Sequence, residues 1–103
     1  MGKIKVFIEY KVIPEKREQY LKLAEKIAAQ YHDFQIQSFS IYEGIEQPNL
    51  FVEDFIISGY EFFNCLRNER LQEQLPFWQD LHSCIYGSVS KVNIFVFEEI
   101  EPI

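Results

Sequence analysis

Seven side chains of this sequence have the types and spacing to form a binding site for a small aromatic molecule. Ser38, Ser40 and Tyr42 alternate along one strand-like segment, so their side chains share one face of a sheet. If the turn after that segment is centred near Glu46, Ser38 lies opposite Asp54 on the next strand. Hydroxyl groups and a carboxylate among aromatic rings can bind a phenolic or quinone-like ligand. The candidate ligand-binding residues are Tyr10, Ser38, Ser40, Tyr42, Asp54, Trp78 and His82.

Trp78 and His82 are expected to close this pocket from above. They lie four residues apart, and residues at that spacing project from the same side of a helix. An alternative interpretation leaves the serines and Asp54 near a sheet edge, bonded to backbone or water, with Trp78 as an ordinary core residue. The ordinary pKa of histidine suits proton transfer, but we interpret His82 as a surface or capping residue. The sequence assigns no catalytic residue.

Composition and motif content disfavour several other classes of site. A formal net charge of -6 argues against nucleic acid or an anionic membrane as a partner, because a phosphate surface needs a basic patch. His32 and His82 lack metal-ligand spacing, and there is no Gly-rich phosphate loop, so we predict neither a metal nor a cofactor. Cys65 and Cys84 form no CxxC motif, which favours buried thiols in a reducing cytoplasm over a disulfide framework.

The elements that position these residues follow from the spacing of apolar side chains. A length of 103 residues, 48% of them hydrophobic, fits a single domain over 1–103, and no stretch reaches the length of a membrane span. Strand-like alternation covers 3–12, 34–43, 50–57 and 88–99, while helical spacing follows Pro14 and, after Gly59, a second helix interrupted at Pro76. This β-α-β-β-α-β order predicts a ferredoxin-like split β-α-β fold of the α+β class. The first and third strands should lie in the centre of an antiparallel sheet, with both helices on one side.

The predicted strands are apolar on both faces, whereas the two helices can cover only one. We call the side of the sheet that carries Val6 and Ile8 face A, and the side that carries Phe7 face B. We expect the helices and the polar cluster around Asp54 on face A. An exposed aromatic patch the size of face B is rare on monomers, so face B should pack against a second copy in a homodimer. The residues assigned to face B include Phe7, Glu9, Phe51, Glu53, Phe55, Phe95 and Phe97.

Four segments of the chain carry a resemblance to a known superfamily. These are KIKVFIEYKV, PEKREQYLKLAEKI, SGYEFFNCLRNERLQEQ and FWQDLHSCIYG. Over nearly its full length the sequence resembles the dimeric α+β barrel superfamily, and within it the antibiotic biosynthesis monooxygenase-like domains. The resemblance implies a dimer with a ligand between the sheet and the helices of each subunit. It also argues against haem degradation, because that branch carries asparagine at the position of Tyr10 and places its tryptophan and histidine nearer Cys65 and Gln74.

Two functions of different classes remain open. The first is binding of a small hydrophobic or aromatic molecule by a cofactor-independent monooxygenase, in which Tyr10, Tyr42, Asp54 and Trp78 orient a substrate that itself activates oxygen. The second is a non-catalytic dimeric module that binds a ligand or another protein. An enzyme should keep a pocket between the second helix and the sheet. A pure interaction module could fill that space with Phe62, Leu66, Trp78 and Leu81.

Overall fold

The chain folds in the predicted β-α-β-β-α-β order, in a computed structural model that describes residues 2–101. Single 3-10 turns, Pro14–Lys16 and Tyr60–Phe62, lead into the first and third helices. The elements are β1 (Ile4–Lys11), α1 (Arg17–Ala24), α2 (Ile27–Gln30), β2 (Gln37–Glu43), β3 (Leu50–Ile57), α3 (Phe63–Leu71), α4 (Pro76–Ser83) and β4 (Asn93–Glu98). The ferredoxin-like α+β fold predicted from the sequence is confirmed.

Proline marks the break between α3 and α4. Pro76 occupies the first turn of α4, where its missing N–H costs nothing, and Leu75 before it is extended, with φ -84° and ψ 140°. The first predicted helix is also divided, by a turn at Glu25 and Lys26. Both predicted helices are therefore pairs of short segments, and residues 73–75 between α3 and α4 are exposed.

The sheet has the strand order β2-β3-β1-β4, with β1 and β3 in the centre as predicted. In the hairpin of β2 and β3, Ser40 pairs with Asp54, and the register shifts between Gln37 and Ser40. Ser38 lies within that shift and has a φ of 56°, so it is the extra residue of a β-bulge. The predicted pairing of Ser38 with Asp54 is therefore wrong, because the turn is centred one residue later than Glu46.

The pairing of β1 with β3 reverses the predicted faces of β3. Val6 pairs with Phe55, Ile8 with Glu53, and Phe7 with Asp54. Phe51, Glu53 and Phe55 consequently lie on face A, and Asp54 lies on face B with Ser40 and Tyr42, opposite to the prediction. Since paired residues share a face, an offset of one residue moves every side chain of a strand to the other side, and two apolar faces leave that offset undetermined by alternation.

The helices cover face A and leave face B open in the single chain. Leu66 of α3 and Trp78 and Leu81 of α4 are completely buried together with Val6 and Ile8 of β1. Phe95 and Phe97 lie on face B as predicted, where Phe95 pairs with Phe7, and they are 46% and 55% exposed. Within residues 2–101, no helix is long and apolar enough to cross a membrane.

Candidate functional site

A buried ion pair lies at the centre of the space between the sheet and the helices. Arg70 of α3 and Glu53 of β3 are both completely buried. The Nε and Nη2 atoms of Arg70 donate to Oε2 of Glu53 at 3.2 and 3.1 Å, and the Tyr31 hydroxyl donates to Oε1 at 2.8 Å. Both carboxylate oxygens thus accept hydrogen bonds, which is what allows a charge to remain in a dry interior.

Local periodicity places the two charged residues in that interior. Phe63, Leu66 and Arg70 follow one another at spacings of three and four residues, and all three are buried on one side of α3. Glu53 lies between Phe51 and Phe55 in the alternation of β3. Arg70 was not among the residues predicted from the sequence, although its helical spacing from two apolar residues is a signal that could have identified it.

Aromatic rings surround the Arg70 guanidinium. Its central carbon lies 5.1 Å from the ring centre of Tyr10 and 5.0 Å from that of Trp78, within the range of cation–π attraction. The Tyr10 hydroxyl is 2.7 Å from the Tyr20 hydroxyl, and Nε1 of Trp78 donates to Oε2 of Glu69 at 2.6 Å. These hydrogen bonds fix the ring positions, so a positive charge is held against two π faces away from water.

His82 of α4 completes this cluster. It is only 2% exposed, so its interpretation as a surface or capping residue is wrong. Nε2 lies 2.9 Å from Nη1 of Arg70 and 3.2 Å from the carbonyl oxygen of Arg70, while buried Nδ1 has no hydrogen-bond partner within residues 2–101. Burial, with the charge of Arg70 in addition, lowers the pKa of His82 to about 4. The imidazole is therefore neutral at pH 7.

The other ionisable groups of the cluster keep their neutral-pH states. Burial raises the pKa values of the Tyr10 and Tyr31 phenols well above their usual range, and the charge of Glu53 raises them further. Burial by itself lowers the pKa of Arg70, but the opposite charge of Glu53 and hydrogen bonding to it outweigh that effect and raise it. At neutral pH the interior therefore holds the Arg70 cation, a neutral imidazole and neutral phenols.

The seven candidate residues are divided between the two faces of the sheet. Tyr10, Trp78 and His82 come together around Arg70 on the helix side. Ser40, Tyr42 and Asp54 lie on face B, and Ser38 is exposed at the bulge. On face B, the Lys5 ammonium is 3.0 Å from Oδ1 of Asp54, an ion pair whose geometry is not that of a hydrogen bond. The set predicted as one pocket is thus two separate clusters.

Side chains occupy the space in which the resemblance implies a ligand. Three of the four residues expected to fill it, Leu66, Trp78 and Leu81, are completely buried, whereas Phe62 is 40% exposed. A surface cavity of about 330 Å³ lies on face B beside Lys5, Phe7 and Phe97. Among residues 2–101, no three His, Cys, Asp or Glu side chains converge in a way that could hold a metal ion.

Comparison with known proteins finds similar structures but no match by sequence. No family model and no curated protein matches the sequence. SnoaB, a cofactor-independent oxygenase from Streptomyces nogalater, has a similar structure with a TM-score of 0.72 and 11% identity, over 100% of this chain and 98% of that chain. A protein from Bordetella bronchiseptica, provisionally assigned as an antibiotic biosynthesis monooxygenase, gives a TM-score of 0.74 and 10% identity, over 98% and 100%. A conserved protein from Methanosarcina mazei gives a TM-score of 0.69 and 14% identity, over 97% and 95%.

These similarities define the class of fold. The chain has the ferredoxin-like α+β fold of the antibiotic biosynthesis monooxygenase-like proteins, as the resemblance in its sequence implied. At identities of 10% to 14%, what is shared is the fold, and fold alone does not fix activity. The cluster around Arg70, rather than the fold, is therefore the basis on which a function can be inferred.

The low pKa of His82 predicts a specific loss of stability in mild acid. Unfolded histidine titrates near its ordinary pKa of 6.5, whereas folded His82 stays neutral down to about 4, so the unfolded state binds the extra proton between these values. The free energy of unfolding should therefore fall by about 2 kcal/mol from pH 7.5 to pH 5 through this group alone. Urea unfolding at both pH values measures it.

A His82→Gln variant is the control for this pH dependence, since glutamine does not titrate. The Arg17 pairing and a backbone N–H lower the pKa of Glu43 to about 2, so Glu43 contributes its change below this window. A wild type and a variant with equal losses between pH 7.5 and pH 5 would show that His82 is not a buried neutral base.

Proposed function

We propose that this protein binds a small, planar, oxygenated aromatic molecule between the sheet and the helices, and that it acts on it as a cofactor-independent monooxygenase. The observation that carries the proposal is the cluster of Arg70, Glu53 and His82 among the rings of Tyr10 and Trp78. A buried ion pair is often no more stabilising than hydrophobic residues of the same volume. Buried charged groups with perturbed pKa values are instead typical of functional sites.

The groups in this interior suit an electron-rich substrate. A phenolate or enolate formed from a quinol can transfer electrons to O2 without a flavin or metal. In the net reaction, one oxygen atom enters the substrate as a carbonyl in place of two hydrogens, and the other oxygen leaves with those hydrogens as water. The Arg70 charge stabilises the substrate anion, and the faces of Tyr10 and Trp78 stack on its ring.

A ligand can reach this site only if part of the helical layer moves. The C-terminal end of α4 is tied to the chain around β1, because Ile13 N–H donates to the Cys84 carbonyl at 2.8 Å and Tyr86 N–H donates to the Lys11 carbonyl at 2.7 Å. The N-terminal end follows the exposed residues 73–75. We therefore place the entrance at the first turn of α4, where Trp78 lies over Arg70.

The proposed assembly is a homodimer through face B. In the single chain this face exposes Phe95 and Phe97, whose rings stack 6.5 Å apart, and Phe7 lies 5.7 Å from Phe97. A second copy related by a two-fold axis would bring the same patch against itself and remove it from water. The proposed setting is the cytoplasm, in keeping with two free thiols, of which Cys84 is buried as expected and Cys65 is exposed, contrary to the expectation.

One observation favours a second function, a non-catalytic dimeric module. Glu53 accepts hydrogen bonds on both oxygens, and Arg70 donates to Glu53 and His82, so the two charged groups are paired without a ligand. Leu66, Trp78 and Leu81 occupy the remaining space. In that case the interior is a polar core, and face B or a surface cavity would be the binding surface.

Two variants of α3 distinguish these functions. Trp78 is the only tryptophan, so its emission reports events in the interior. We expect quinols to change that emission and to support oxygen consumption without added metal or flavin. Arg70→Lys should lower turnover by about tenfold or more, because an ammonium lacks the planar guanidinium that stacks on rings. Arg67→Lys, at an exposed site on the same helix, should leave turnover unchanged. No quinol response in the wild type, by emission or oxygen uptake, would exclude the monooxygenase.

A further inference from the structure

The two ring nitrogens of His82 have different surroundings. Nε2 contacts Arg70 twice, at 2.9 Å from Nη1 and at 3.2 Å from the backbone carbonyl oxygen. Nδ1 is buried and has no hydrogen-bond partner within residues 2–101. Because the nitrogens of an imidazole point in different directions, Nδ1 faces away from the group that engages Nε2. One edge of the ring is thus occupied by Arg70, while the other is buried and unused.

The shorter contact determines which nitrogen carries the proton. A guanidinium has five N–H donors and no acceptor, so Nε2 must offer its lone pair to Nη1 of Arg70. The single proton of the neutral imidazole is then on Nδ1. The opposite tautomer would point the positive end of an N–H dipole at a buried cation. That arrangement is repulsive, and the repulsion is strong in a dry interior. The contact with the Arg70 carbonyl at 3.2 Å is therefore not a hydrogen bond.

We infer that His82 donates a hydrogen bond from Nδ1 to an oxygen of the bound molecule, and that this molecule carries an acceptor such as a quinone carbonyl or a phenolate. This inference rests on the proposed aromatic site and names the chemistry of its ligand. A buried donor without an acceptor lowers the stability of the protein. A ligand oxygen that accepts a hydrogen bond from Nδ1 would remove that cost, and the ligand would bind more tightly as a result. Besides its charge near the substrate, Arg70 thus has a second role, which is to set the tautomer of His82.

The same geometry limits how a substrate can lose its proton. The two potential bases of the interior are His82 and Glu53. Nε2 of His82 accepts from Arg70, and both oxygens of Glu53 accept from Arg70 and Tyr31. Both bases are thus already engaged by donors of the protein. Substrates that need no base in the site therefore fit best, namely acidic hydroxyquinones and acidic quinols that are already ionised at neutral pH, bound as anions near the Arg70 charge.

The tautomer can be observed directly in the unliganded protein. Two-dimensional 1H–15N spectra of the imidazole nitrogens should show His82 protonated at Nδ1. His32 is the only other histidine, and because it is exposed it provides a surface signal for comparison in the same sample. A proton on Nε2 of His82 would overturn the inference, whatever the protein binds.

Two substitutions test the hydrogen bond to the ligand. In His82→Asn the amide N–H lies near the position of Nδ1, whereas in His82→Gln it lies near Nε2. Calorimetry with 2-hydroxy-1,4-naphthoquinone, which is ionised at neutral pH, should give similar affinity for wild type and His82→Asn. His82→Gln should bind about tenfold to a hundredfold more weakly, as expected for a lost hydrogen bond to an anion.

A probe without oxygen separates this inference from the proposed function. 2-Methylnaphthalene has the same ring system and no acceptor, so it should bind the wild type and His82→Gln equally. A quinone affinity that His82→Gln leaves unchanged would overturn the inference alone. Binding of neither probe by the wild type would overturn the proposed function and, with it, the ligand assigned to His82.

Discussion

Replacing Arg70 with methionine is expected to lower the free energy of unfolding by about 3–5 kcal/mol, the usual cost of leaving one partner of a buried ion pair without the other. Methionine fills much of the same volume, so the loss comes from the charge on Glu53 rather than from a cavity. Glu53 would keep only the Tyr31 hydroxyl as a hydrogen-bond donor among its present partners. Chemical denaturation at pH 7 measures the difference.

Arg67→Met is the matched control for this substitution. Arg67 lies on the same helix and is exposed, with a hydrogen bond from Nη2 to Oδ1 of Asn64 at 2.8 Å. Its replacement should change the stability by less than about 0.5 kcal/mol. Arg70→Met with Glu53→Gln should recover much of the loss, since the buried charge is then absent. If Arg70→Met were as stable as Arg67→Met, water would have to reach Glu53 in the folded protein.

The pH dependence of Arg70→Met provides a second check on the same mechanism. Without the guanidinium, burial should raise the pKa of the Glu53 carboxyl in this variant. A carboxyl with a raised folded-state pKa binds its proton more tightly than in the unfolded chain, so the variant should lose stability as the pH rises from 5 to 8.

Replacing Phe95 with glutamate is expected to weaken self-association by about a hundredfold or more, because each subunit would bury a carboxylate among Phe7 and Phe97. The two-fold axis repeats the substitution, so both copies bring a charge to the same apolar interface. Sedimentation equilibrium over a range of micromolar concentrations would measure the change.

Leu21→Glu is the control for that experiment. Leu21 lies on α1 in the helical layer and is 40% exposed, close to the 46% of Phe95. A glutamate there adds the same charge on the other side of the sheet and should leave association unchanged. A wild type that sediments as a single chain at these concentrations would contradict the proposed dimer directly.

The arrangement of elements could be predicted from the sequence because it depends on local periodicity and general topology. Alternation identified the strands, and the crossover rule placed β1 and β3 in the centre. The faces of β1 and β4 were also predicted correctly, since Phe7 pairs with Phe95. In β4 this result does not depend on knowing the exact register, because its aliphatic and aromatic residues separate cleanly onto the two sides.

The site could be predicted only in part, because it depends on one offset between distant strands. In β3, both alternating sets are apolar and each contains one carboxylate, Glu53 in one and Asp54 in the other. Either set could face the helices, and the choice between them is made by long-range packing around Arg70. A charged residue in a polar helical segment looks exposed until its buried partner is known, which is why Arg70 was missed.

The pairing between β1 and β4 also constrains when this protein can fold during its synthesis. Ile4 pairs with Glu98, and β1, the first strand to be made, has β3 and β4 as its neighbours. While the ribosome is still producing the helices between β3 and β4, one edge of β1 has no strand to pair with. The apolar side chains of β1 are then only partly covered by the helical layer. Contacts between distant parts of a chain form slowly, and partly folded intermediates with exposed apolar surface are prone to aggregate in the meantime. We therefore expect the sheet to close only after β4 has left the ribosome.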